Sequence, residues 1–178
     1  MKIKLEENFR KWTALFISII LYFFIHEGAH LIYAILTNTF KQINFVGIGI
    51  QVDISRDKIS DYQLGIFCFL GPVATIITAY VLVYAKNIFL KIKSNWLRAI
   101  SFYTTIAFLI IDPLYLGFGY RFVGGGDMNG IKLIFSEFWT SFIFSIILII
   151  NTVIIFNSII KAYSKAYKLA NNKRKIIE

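Results

Sequence analysis

Two histidines and a glutamate stand in one short run, His26-Glu27-Gly28-Ala29-His30, in the middle of an apolar stretch from about residue 12 to 36. They are the chain's only two histidines, and they fall four residues apart. On a helix that spacing leaves two imidazoles about 40° apart on one face, one turn above each other, where both can grip one metal ion. Glu27 follows the first imidazole directly and stands beside that face, free to take a proton from a water that zinc has acidified. The pattern is therefore the footprint of an intramembrane zinc site. A plainer alternative is a histidine pair that hydrogen-bonds neighbouring spans without metal. It must also account for Glu27 at a depth where an unpaired carboxylate costs at least ~2.5 kcal/mol.

A catalytic zinc usually takes three protein ligands and keeps a fourth position open, so a third donor is expected. Asp112 and Asp127 are the candidates. Asp127 follows Val123-Gly124-Gly125-Gly126 and precedes Met128-Asn129-Gly130-Ile131, where glycines let the backbone fold back and present a carboxylate at a helix start. An ordinary N-cap is the alternative for this aspartate. Asp112-Pro113 lies inside an apolar run, where a proline frees a backbone carbonyl and an acid is costly. Asp112 is thus a partner that orients a histidine, a residue that positions substrate, or the third ligand itself.

These residues need a membrane frame. The chain is 178 residues long, 57% hydrophobic and 16% charged, which leaves too few polar side chains to coat a soluble domain of this size. Four stretches, about 12–36, 62–85, 97–118 and 139–160, are long enough to cross roughly 30 Å of hydrocarbon as helices. Between the first two, residues 40–54 alternate apolar with polar or glycine positions, which predicts one or two β-strands bending at Gly47 or Gly49. The expected class is an all-α polytopic membrane protein with a short strand or hairpin after the first helix. Its organisation is a basic arm over 1–11, one membrane domain over 12–160 and a basic tail over 161–178.

The formal charge of +9 could suggest nucleic acid, but the basic residues gather at span ends rather than in an aromatic-interleaved patch. Lysine and arginine concentrate in the arm, the 86–98 loop and the tail. That distribution predicts both termini in the cytoplasm, with residues 37–61 and 119–138 on the outer side. The tail from Lys161 to Lys175 can also meet anionic headgroups, at about 1 kcal/mol per basic residue. The first apolar run is too long for a signal peptide, lacks a small-residue cleavage site, and is expected to be retained. Cys68 stands alone, so no internal disulfide forms and its thiol is expected to pack. The Ile, Lys, Asn and Phe content points to an AT-rich, prokaryotic coding bias and so to a prokaryotic cell membrane.

Taken together, the residues resemble the site-2 protease group of intramembrane zinc metallopeptidases across roughly residues 12–135. His26-Glu27-Gly28-Ala29-His30 matches that family's H-E-x-x-H. Gly71-Pro72 looks like its Gly-Pro element, and Gly126-Asp127 like its aspartate ligand, although the usual Leu-Asp-Gly form is not kept. Asp112-Pro113 looks like the counterpart of an Asn-Pro element, with acid in place of amide. The segment 40–54 is similar to a strand that in such enzymes lies beside the active site and takes substrate by edge addition.

The resemblance implies one zinc per chain held by His26, His30 and Asp127, with Glu27 as base and then proton donor. Asp112, Gly71, Pro72, Ile48 and Ile50 would contact substrate or support the metal, and the reaction would be hydrolysis of a peptide bond in or beside a transmembrane segment of a membrane-protein substrate. Family members place the zinc nearer the cytoplasmic face, opposite to the side that the charge distribution assigns here. Two other readings compete. A zinc-containing chaperone or regulator would bind transmembrane segments without needing Glu27. A transporter would spread polar groups along a path, for which Thr75, Thr78, Thr104, Thr105, Asn151 and Asn157 are the available residues.

Overall fold

A computed structural model describes residues 2–46 and 49–167. Helix α1 (Lys2–Leu36) leads into an antiparallel hairpin, β1 (Phe40–Val46) and β2 (Gly49–Ile54), followed by a 3-10 turn at Arg56–Lys58. Then come α2 (Asp61–Lys91) and α3 (Asn95–Leu114), which runs through a π turn at Tyr115–Gly119 into the single turn α4 (Tyr120–Val123). A short α5 (Gly126–Ile131) precedes α6 (Glu137–Ile154), which continues helically to Tyr167. Among the described residues four helices are long and apolar enough to cross a membrane: Leu5–Leu36, Asp61–Lys91, Asn95–Val123 and Glu137–Tyr167. The expected class holds, with a two-stranded hairpin between the first and second of them. Ile48 and the bend at Gly47 lie outside the described residues, as does the end of the basic tail from 168 onward.

The helices outrun the apolar stretches that announced them. At 35 residues α1 is about 52 Å long and takes in the basic arm. Hydropathy marks where a helix meets lipid, whereas helix formation asks only for propensity and caps, and Lys and Glu are good helix formers. Sequence-coded caps set two of the starts. Ser60 and Gln63 form a reciprocal capping box before α2, and the Ser94 side chain accepts from the Leu97 N–H before α3.

Helix α3 is the central post, packed against α1, α2 and α6, while α1 and α2 pack on each other. The contacts use small and hydroxyl-bearing side chains: Ala14, Ser18, Ala34, Thr75 and Ala79 are fully buried. Large apolar side chains such as Phe9, Trp12, Phe16 and Phe24 face outward along α1. This arrangement suits a lipid solvent, where close backbone approach rather than apolar burial drives packing.

Polar groups within the spans bond locally. Pro113 cannot donate to the Leu109 carbonyl, and Asn151 Nδ2 on α6 fills that place at 2.7 Å while its Oδ1 accepts from Tyr80 on α2. The Ser18 and Thr104 hydroxyls meet at 3.0 Å, Thr78 and Thr105 donate to their own helices, and Asn157 accepts from Lys161. The hydroxyls and amides of the spans thus bond within their own helices or to a neighbouring one.

Candidate metal centre

His26 and His30 lie on the inward face of α1, both buried, with ring centroids 4.9 Å apart. Gly71 of α2 faces them directly. A Cβ built there would stand 2.5 Å from His30 Nε2 and 2.7 Å from His26 Nε2, so the space before the two nitrogens exists because this position has no side chain. Pro72 follows within the helix, and the Phe67 carbonyl in the preceding turn accepts from His30 Nδ1 at 2.7 Å.

Asp127 approaches from α5, which packs on α2. Gly124 (φ 97°) turns the chain back after α4, and Gly126 sits against the Tyr115 hydroxyl, which also donates to the Gly124 carbonyl at 3.1 Å. Asp127 lies in the first turn of α5 without capping it. The N-cap is Gly125, and the carboxylate instead meets His26 Nε2 at 3.0 Å and His30 Nε2 at 3.5 Å.

Asp112 occupies a different place. Fully buried on α3, it faces the other nitrogen of His26, with Oδ1 and Oδ2 at 3.3 and 3.4 Å from Nδ1. The Tyr22 hydroxyl donates to its Oδ1 at 2.7 Å, and the Thr75 hydroxyl donates to its Oδ2. Of the two aspartates that sequence alone left open, Asp127 thus faces the Nε2 atoms of both histidines and Asp112 backs one of the rings.

Hydrogen bookkeeping gives this geometry its chemical meaning. The Tyr22 hydroxyl spends its hydrogen on Asp112, so only acceptors surround His26 Nδ1: the Tyr22 oxygen at 3.3 Å and the Asp112 carboxylate. Nδ1 therefore carries the ring hydrogen. The Phe67 carbonyl imposes the same tautomer on His30. Each Nε2 then presents a lone pair to the carboxylate of Asp127. Three electron-rich groups converge there, and either a bound cation or a proton that makes one ring an imidazolium would satisfy them. The two N···O separations bracket the roughly 3.4 Å edge expected of a tetrahedral site with bonds of about 2.1 Å. A divalent ion would also offset much of the negative charge that Asp127, Asp112 and Glu27 bring to a low-dielectric interior. His26, Glu27 and His30 each offer a donor atom within 4.8 Å of the others, and the group can hold a metal ion.

Glu27 is half-buried, and its Oε2 accepts from the Val52 N–H of β2 at 2.9 Å. That N–H points away from β1, so the unpaired edge of β2 faces α1 beside the two histidines. Ile50 lies on the same strand, two residues before Val52, and is exposed. Sequence reading did not single out Tyr22, Thr75, Phe67, Val52 or Tyr115 for this site. Only Tyr22 carried a local signal, standing one turn before His26 on the same helical face. No protein-family model, no curated protein and no solved structure matches this chain.

Proposed function

We propose that this chain is an intramembrane zinc metallopeptidase of the site-2 protease type, cutting peptide bonds in or next to transmembrane segments of membrane-protein substrates. The observation that carries the reading is the convergence of His26 Nε2, His30 Nε2 and the Asp127 carboxylate, with the Glu27 carboxylate and the outward edge of β2 alongside.

Zinc held by His26, His30 and Asp127 would supply Lewis acidity to a substrate carbonyl and make hydroxide available near neutral pH. Glu27 takes a proton from the attacking water and passes it to the leaving amine, so one water is consumed and the carboxylate is regenerated. A helical carbonyl is already hydrogen-bonded and sterically covered, so the scissile segment has to be extended. The outward edge of β2 at Ile50 offers backbone partners for such a segment beside Glu27, whose carboxylate holds the neighbouring Val52 N–H. Gly71 leaves the room in front of the two nitrogens. The distribution of basic residues favours cytoplasmic termini, with this site toward the opposite face.

The Glu27 to Val52 bond also favours a second reading, in which Glu27 only pins the hairpin and the protein binds transmembrane segments without cutting them. Incubation of the zinc-loaded protein in liposomes with a pool of transmembrane peptides separates the two. The peptidase reading expects new termini in or next to the apolar segments, lost on chelation and regained with zinc. A pool that stays intact while zinc remains bound would favour the non-catalytic reading.

A further inference from the structure

We propose that Tyr22 and Thr75 are positioning residues which act through Asp112 on His26, fixing the ring so that its Nε2 lone pair is presented to the metal. This inference rests on the zinc-site reading above. Asp112 gathers one group from each of three helices: itself on α3, Tyr22 on α1 and Thr75 on α2. Each carboxylate oxygen receives one hydroxyl, Oδ1 from Tyr22 and Oδ2 from Thr75, and both oxygens stay within 3.4 Å of His26 Nδ1. The single Thr75 hydrogen is shared between Asp112 Oδ2 and the Pro72 carbonyl 2.9 Å away, in the turn that starts at Gly71.

The choice of donors is informative. Tyr22 is a neutral group, as is Thr75, so they satisfy the buried carboxylate without cancelling its charge, which a lysine or arginine would do. The full charge stays available to polarise the imidazole and hold its tautomer, as partners behind metal-bound histidines do. The Tyr22 oxygen lies farther from Nδ1, at 3.3 Å, than from Asp112, at 2.7 Å, so its principal partner is the aspartate. The Tyr22 ring is packed edge-on against Phe108 and Phe23, so the hydroxyl is placed by the core rather than by solvent.

The test is zinc affinity, measured by competition with a chromophoric chelator on the full chain in detergent. Tyr22→Phe, which keeps the ring, is expected to weaken zinc binding about tenfold, and Thr75→Val likewise. Thr75→Ser, which keeps the hydroxyl, should stay within about twofold of the parent protein. Combining Tyr22→Phe with Asp112→Asn should weaken binding no further than Asp112→Asn alone, because the tyrosine acts through the aspartate. A role confined to helix packing would lower the melting temperature of the metal-free protein and leave affinity unchanged. Parent-like affinity in both Tyr22→Phe and Thr75→Val, or multiplying effects in the double variant, would overturn the proposal while leaving the peptidase reading intact. A parent protein that binds no zinc would overturn both.

Discussion

Glu27→Gln is expected to keep the zinc content of the parent protein and to lower cleavage by about 10²- to 10⁴-fold, the usual contribution of a positioned proton-transfer group. Glutamine has the same shape, and its carbonyl oxygen can still accept from the Val52 N–H, so the hairpin keeps its anchor. What is lost is the ability to take a proton from water. Zinc content and cleavage of a transmembrane peptide should be measured on the same preparation. Activity equal to the parent's would remove Glu27 from the chemistry. Loss of zinc would instead make it a ligand, a role its place within 4.8 Å of the histidine nitrogens allows.

The second large effect separates the two aspartates. Asp127→Ala should reduce bound zinc far more than Asp112→Ala, because Asp127 meets both Nε2 atoms at 3.0 and 3.5 Å whereas Asp112 touches only the back of one ring. Removing a partner behind a histidine typically costs 10- to 100-fold in affinity, and removing one of three ligands leaves two imidazoles to hold the ion alone. Zinc retained after dialysis against graded chelator would rank the variants. The reverse order would make Asp112 the third ligand and turn the Gly124 to Gly126 loop into a structural feature.

The sequence made legible whatever is local. His26, Glu27 and His30 declare their geometry through the helical period alone. The alternation over 40–54 gave the hairpin, although its irregular register between Phe40 and Gln42 was not foreseen. Helix ends were less visible, because basic residues such as those of 2–11 continue a helix without contributing to an apolar stretch. The roles of Asp112 and Asp127 stayed open because they depend on the register of α3 and α5 against α1, which no single helix encodes. Gly71 shows the same limit. A Gly-Pro pair is common, and only the placement of α2 against α1 reveals that a missing side chain leaves space before two imidazoles. Thr75, one more hydroxyl among several in the spans, becomes informative only when Asp112 is seen beside it.

Elemental analysis of the detergent-purified protein, with His26→Ala purified in parallel, tests the metal centre most directly. The account predicts about one zinc per chain in the parent protein and little in the variant, since His26 supplies one of three converging donors. Zinc lacking from both preparations after metal is added, or retained equally in both, would contradict it.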